Sequence, residues 1–238
     1  LAQDFDRMTD KLRGAWQRQT ELTRNVSHEL RSPLARLRVA LELARRQTGD
    51  LPELEKIDAE TERLDELIGQ ILEFSRLDVG PDEDRSPIDL DELIRLVVED
   101  VRYEYGVLGS EANIEFDSDS GCTVFGYPNA LGSGIENVLR NAVQHNREHG
   151  EVHVRLAAEA AQVVLTVEDQ GGGVAQHELE KIFEPFYRSK TRPAEQARQG
   201  TGLGLAIASR ATALNDGSLL ARNSKDGLRV EMRLPLSG

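Results

Sequence analysis

The sequence predicts a multidomain molecule: an all-α helical hairpin that forms a dimeric four-helix bundle, followed by an α+β sandwich. Three observations predict it. The apolar period is helical throughout the first third of the chain and becomes a mixture of helical and strand periods after it. The stretch VGPDEDRS at 79–86 separates the two regimes and reads as a linker. The apolar stripes of the hairpin are too wide to be buried by two helices alone, so a second copy is the natural partner, with packing against the rest of the chain as the alternative.

The elements follow in order. Residues 1–47 read as one long helix or two joined helices. Phe5, Met8, Leu12, Trp16, Leu22 and Val26 begin the stripe, and Leu30, Leu34, Leu37, Leu41 and Ala44 continue it at alternating steps of 4 and 3. Thr48-Gly49-Asp50-Leu51-Pro52 is a turn. A second helix spans 53–78, where Leu54, Ile57, Thr61, Leu64, Ile68, Ile71 and Ser75 keep the phase. Residues 88–105, 135–145 and 202–214 are expected as helices. Residues 113–116, 123–125, 151–156 and 163–168 are expected as strands, and 218–222 with 228–234 as a closing hairpin. Helices interleaved with a largely antiparallel sheet make an α+β sandwich.

The 238 residues carry a net charge of −13, which disfavours nucleic acid as a partner. The charge is uneven. Residues 1–49 hold 10 Lys+Arg against 6 Asp+Glu, whereas residues 50–100 hold 5 against 18. The basic stretch includes Arg24, Arg31, Arg36 and Arg38, which fits an acidic partner surface. Cys122 is the single cysteine, which rules out an internal disulfide and any cysteine metal site. No apolar run approaches the ~20 residues that span a bilayer. The chain opens at Leu1 inside an amphipathic pattern, which reads as a piece of something longer.

His28 stands on the wrong side of its helix. It lies roughly 160° from Leu30, at about 100° per residue, and so faces water. Glu29 is adjacent, Ser32 is one turn on, and Pro33 removes the hydrogen bond to the Glu29 carbonyl, which predicts a bend. An exposed imidazole beside a carboxylate suits a nucleophile reached by something large. His145, His149, His153 and His177 share no face with it or one another, so no histidine metal site is expected.

Three further segments carry chemistry. Asn137 and Asn141 fall on one helix face, where amide oxygens suit Mg²⁺ and amide nitrogens suit phosphate; a plain polar face is the alternative. Asp169-Gln170-Gly171-Gly172-Gly173 follows an apolar strand. A strand-end aspartate can accept from an exocyclic amine, and glycines let backbone approach a ring; a simple glycine turn is the alternative. Gly200-Thr201-Gly202-Leu203-Gly204 leads into a helix and offers N–H groups to an anion, although a glycine triplet alone is weak. Between these last two, residues 190–198 read as a cationic lid or a solvated loop.

In their order, these motifs resemble the sensor histidine kinases of two-component signalling. SHELRSPL (27–34) is similar to the phosphoacceptor motif, NVLRNA (137–142) to the asparagine box, and DQGGGV (169–174) and GTGLGLAI (200–207) to the two glycine boxes. IFEPFYR (182–188) is similar to the phenylalanine box, and DFDRM (4–8) to the end of a HAMP signalling module. The resemblance covers nearly the whole chain. It implies the end of a HAMP module at 1–14, a dimerisation and phosphotransfer hairpin at 15–80, a linker at 81–87, and an ATP-binding domain at 88–238.

The resemblance also implies roles. His28 is the phosphorylated residue, with Glu29 as general base or orienter and Ser32 in the place that supports dephosphorylation of the partner. Asn141 is the Mg²⁺ ligand and Asn137 its support. Asp169 reads adenine, with Gly171 and Gly173 shaping the base pocket. Gly200, Thr201, Gly202, Leu203 and Gly204 form the phosphate loop, and Arg188 contacts the transferred phosphate. ATP and Mg²⁺ are the implied cofactors, and the implied partners are a second copy and a response regulator. The implied parent is anchored in the inner membrane, with this part on the cytoplasmic side.

The chain departs from the family pattern at four places. Ser32 replaces threonine but keeps the hydroxyl. Gln144 and His145 stand where lysine and tyrosine are common, which removes a cationic phosphate contact. Gly126-Tyr127-Pro128 replaces Gly-Asp-Pro, a change of helix cap. Gly172 adds a third glycine, expected to loosen the first glycine box. A regulator phosphatase with little kinase activity, an ATPase of the gyrase/heat-shock type and a non-catalytic scaffold are the competing functions. The hairpin argues against the ATPase, and the intact asparagines, Asp169 and glycine loops argue against the scaffold.

Overall fold

The computed structural model describes residues 31–49, 51–80, 83–107, 112–119, 121–189 and 200–237. The chain divides into two compact units, Leu1–Val79 and Gly80–Gly238.

In the first unit, α1 covers residues 31–48 and α2 covers Pro52–Val79. Gly49 ends α1 in the left-handed region (φ 77°), and its N–H donates to the Arg45 carbonyl at 2.8 Å, the role for which glycine is favoured. Pro52 opens α2, where its missing N–H costs nothing, and Glu53 and Glu55 lie in the first turn, where the helix dipole favours acids. Leu34, Leu41, Thr61 and Leu72 are buried. Arg45 pairs with Asp58 at 2.8 Å, and Arg31 and Arg38 each reach Asp65 at 3.8 Å, so cations of α1 meet acids of α2. The bend expected at Pro33 involves Glu29, which lies outside the described residues, as do His28 and residues 1–14; from 31 to 48 the helix is continuous.

The second unit is a sandwich of helices on a sheet. Its elements are β1 (Ser86–Asp89), α3 (Leu90–Val107), β2 (Asn113–Ser118), β3 (Thr123–Gly126), α4 (Pro128–His145), β4 (Glu151–Glu159), β5 (Gln162–Glu168), α5 (Gly204–Leu214), β6 (Ser218–Asn223) and β7 (Leu228–Pro235). The main sheet runs β2-β4-β5-β7-β6. Only β2–β4 is parallel; the other pairs are antiparallel. Strict alternation buries Val152, Val154 and Leu156 of β4 and Leu228, Val230, Met232 and Leu234 of β7 in the core. Ile94, Leu131, Ile135 and Leu139, from α3 and α4, fill the other side. The remaining sheet face carries charge ladders, with Arg229 on Glu168 at 2.7 Å and His153 Nδ1 against Glu115 at 3.0 Å.

Four local features differ from expectation. Ser86 and Pro87, read as linker, and Ile88 and Asp89, read as the start of a helix, belong to β1, which pairs antiparallel with β3, so α3 begins at Leu90. Four residues containing a proline carry too little period-2 signal, and edge pairing tolerates the missing N–H. Helix α4 begins at Pro128 rather than 135, because Gly132 and Gly134 hide its first turns from propensity; Gly134 packs on α5, where a β-carbon would lie 2.9 Å from Ala211. Two single 3₁₀ turns occur here: Gln176–Glu178 precedes the phenylalanine segment, and Lys181–Phe183 opens it. Helix α5 begins at Gly204 rather than 202.

Candidate functional site

The candidate site lies where α4, the end of β5 and the start of α5 converge. Asn137 is buried, and its amide nitrogen donates to the Ser133 carbonyl at 3.0 Å, which leaves the oxygen toward the glycine loop. A β-carbon on Gly204 would sit 3.1 Å from that oxygen, and one on Gly200 would sit 3.4 Å from the Gln144 amide. The loop and the asparagine face are therefore one structure. Asn141, one turn on, is half-buried, and its carboxamide makes no hydrogen bond among the described residues. A half-buried amide oxygen without a partner, beside a glycine-lined cradle, fits a hard cation such as Mg²⁺.

Asp169 is 2% exposed. Its Oδ1 accepts N–H bonds from Gly171 at 2.8 Å and Leu228 at 3.1 Å, so the carboxylate is fixed at the strand end. Gly171 packs on the His145 carbonyl, and Gly173 (φ 69°) packs on the Asn223 side chain; neither position has room for a β-carbon. Asn223 in turn accepts from Val174 N–H at 3.0 Å and donates to its carbonyl at 2.7 Å. Gly172 does not loosen the segment. It adopts φ 83°, and its N–H donates to the Asp226 carbonyl at 3.0 Å, so the third glycine supplies a conformation the turn requires.

The phosphate-loop candidates are held from both sides. Gly200 and Gly202 have φ of 89° and 78°, and a β-carbon on Gly202 would meet the Tyr187 carbonyl at 2.8 Å. The Gly202 carbonyl accepts from Phe186 N–H at 2.9 Å, which ties the loop to the phenylalanine segment. Thr201 Oγ1 accepts from Leu203 N–H at 3.2 Å, and Leu203 is buried. Helix α5 then starts at Gly204 with no side-chain cap, which leaves its first N–H groups available to an anion.

Arg188 is exposed at the end of the phenylalanine segment, flanked by two residues that bind one buried acid. Glu178 is 3% exposed and accepts from Tyr187 Oη at 2.9 Å and Ser189 Oγ at 2.6 Å. Desolvation and this carboxylate push the Tyr187 hydroxyl up, so it stays protonated and donates. Sequence reasoning missed Glu178, because an acid in HELEKIF looks solvated; the nearby hydroxyls of Tyr187 and Ser189 are the signal that explains it. Asn146 was missed as well; its Oδ1 accepts Gln170 N–H at 2.9 Å. The lid read at 190–198 lies outside the described residues.

Ser32 is on the exposed side of α1 and accepts a bond from Arg36 at 2.7 Å. His153 does gather two acids, Glu115 and Glu151, on the exposed sheet face, but no other described histidine joins it.

Two domain families match this chain. Residues 18–80 match the His Kinase A (phospho-acceptor) domain, and residues 126–238 match the histidine kinase-, DNA gyrase B- and HSP90-like ATPase. The sensor histidine kinase CpxA of Escherichia coli is 36% identical over 98% of this chain and 50% of its own length. The sensor protein PfeS of Pseudomonas aeruginosa is 34% identical over 99% of this chain and 51% of its own length. The chain thus spans about half the length of the curated relatives it matches. A solved structure of full-length ShkA in complex with AMPPNP aligns with a TM-score of 0.71 and 27% identity over 92% of this chain and 46% of that one. With a phospho-acceptor domain followed by this ATPase domain, and relatives of that name along its whole length, the chain belongs to the sensor histidine kinases of two-component signalling.

Proposed function

We propose that this chain is an ATP-dependent protein-histidine kinase that autophosphorylates His28 and passes the phosphoryl group to an aspartate of a response regulator. The observation that carries the reading is the seating of Gly200 and Gly204 on the α4 face that holds Asn137 and Asn141. Two sequence-distant motifs thereby meet, and Gly171 brings a third against the His145 carbonyl at the end of the same helix. AMPPNP in the ShkA structure, a neighbour of similar fold, supports ATP as the ligand.

Each residue then has a task. Asp169 accepts the exocyclic amine of adenine, and Gly171 and Gly173 admit the ring. Backbone N–H groups of Gly200, Thr201, Gly202 and Gly204 cradle the phosphates, and Leu203, whose N–H donates to Thr201 Oγ1, closes the loop. Asn141 Oδ1 would hold Mg²⁺ with support from Asn137, and Arg188 would meet the transferred phosphate. Held there, the ion would neutralise charge on the phosphate oxygens. A His28 ring nitrogen attacks the γ-phosphorus as the bond to the ADP oxygen breaks. Glu29 holds the other ring N–H and offsets the positive charge the ring gains.

The hairpin supports a homodimer. Leu37, Ile57, Leu64 and Ile71 are between 39% and 48% exposed, apolar positions of the helix stripes that a second copy would cover in a four-helix bundle. The exposed arginines Arg31, Arg36 and Arg38 suit an acidic regulator site. The Ser32 hydroxyl, one turn from His28, favours a second activity, dephosphorylation of that regulator by positioning water. The domain limits 1–14, 15–80, 81–87 and 88–238 complete the reading, with a cytoplasmic placement below a membrane-anchored sensor. No helix among the described residues is long and apolar enough to cross a membrane.

Incubation with γ-labelled ATP and Mg²⁺ tests this. Acid-labile, alkali-stable label is expected on the intact chain and is expected to vanish in Asn141→Ala. Tight nucleotide binding with no label would instead favour the phosphatase.

A further inference from the structure

The N-terminus of α4 is capped from the linker. Tyr127 occupies the cap position with extended backbone (φ −96°, ψ 105°) and makes no side-chain cap bond, and Pro128 follows it. The first N–H groups of a helix have no partner of their own. Here Glu83, more than forty residues upstream, takes them. Its Oε2 accepts Asn129 N–H at 3.1 Å and the Asn129 side-chain amide at 2.7 Å, and its Oε1 accepts Ala130 N–H at 3.1 Å. A carboxylate at this end also complements the helix dipole.

The segment is pinned a second time, two residues on. Arg85 Nη2 donates to the Phe125 carbonyl at 2.8 Å and to Asp216 at 2.6 Å. Its guanidinium lies 5.7 Å from the Phe125 ring centre and 5.6 Å from that of Tyr127. The Tyr127 N–H is meanwhile held by Asn215 Oδ1 at 2.7 Å. The linker is thus bound around the residue that leaves α4 without a cap of its own.

We propose that Glu83 is a positioning residue for the nucleotide site: it holds the start of the helix that carries Asn137 and Asn141, and so makes that site sensitive to the state of the linker. Helix α2 ends at Val79, and three residues separate it from Glu83. Release of Glu83 therefore frays the first turn of α4. The inference deepens the kinase reading and rests on it for the nucleotide.

The test compares the wild-type chain with Glu83→Ala and with Glu83→Ala/Tyr127→Asp, whose new aspartate would cap α4 locally. Amide exchange at 129–131 and affinity for a fluorescent ATP analogue are measured on each. Glu83→Ala is expected to speed exchange about ten-fold, the scale of a lost helix cap. It is also expected to weaken nucleotide binding about five-fold, and the double variant is expected to restore both. Unchanged exchange in Glu83→Ala overturns the cap. Faster exchange with unaltered nucleotide affinity overturns the positioning role. A wild type that binds no nucleotide refutes the kinase reading instead, and exchange still decides the cap.

Discussion

Gly171 and His145 are packed backbone against backbone: a β-carbon on Gly171 would fall well inside contact distance of the His145 carbonyl oxygen. The end of the asparagine helix thereby fixes the start of the base-pocket turn. A carbonyl cannot rotate away as a flexible side chain can, so even the smallest side chain must displace one segment.

Gly171→Ala is therefore expected to weaken binding of a fluorescent ATP analogue at least about ten-fold while the chain stays folded, since displacement of a pocket segment by an ångström carries costs of that order. Titration beside circular dichroism checks it. Wild-type affinity in the folded variant would show that this turn does not shape the pocket.

Asp169→Asn keeps the shape and keeps an oxygen for the Gly171 and Leu228 N–H groups, but removes the charge. The fold should survive. Discrimination of ATP over GTP should fall about ten-fold or more, as expected for the loss of a hydrogen bond to a charged group. Competition binding with the two nucleotides measures it. An unchanged ratio would remove Asp169 as the adenine reader.

Much of the candidate site was legible in the sequence because its motifs are local: Asn137 with Asn141 needs only helical spacing, and Gly200 to Gly204 needs only a turn before an apolar helix. Fold class followed from a change of period. What stayed hidden was non-local. Glu83 meets Asn129 across 46 positions, and Asn215 meets Tyr127 across 88. Glu178 looks like one more surface acid until Tyr187 and Ser189 close over it. Spacing cannot reveal partners that only the packed chain brings together.

Leu139 of α4 is fully buried, whereas Leu220 on β6 is 42% exposed. Leu139→Ala should destabilise the second unit by about 2–5 kcal/mol through lost burial and a residual cavity. Leu220→Ala should change stability by about 0.5 kcal/mol or less. Denaturant melts that gave equal effects would contradict the placement of the core on the α4 side of the sheet.

Cys122 should be inert. Burial, then the neighbouring Asp91, Asp119 and Asp89, push its thiol up. The reactive form is the thiolate, so a raised value lowers its fraction at every pH below it. Alkylation of the folded chain at pH 8 should be slower than that of a denatured sample by an order of magnitude or more, on the order of the shift and the loss of access together. Equal rates would show the thiol to be exposed.

In the proposed reaction one histidine, His28, takes the γ-phosphate. Mapping the modified residue by mass spectrometry at neutral to alkaline pH, after incubation with MgATP, tests it most directly. A single phosphohistidine at His28, absent from His28→Ala, is expected. Phosphate on another residue, or its persistence in His28→Ala, would contradict it.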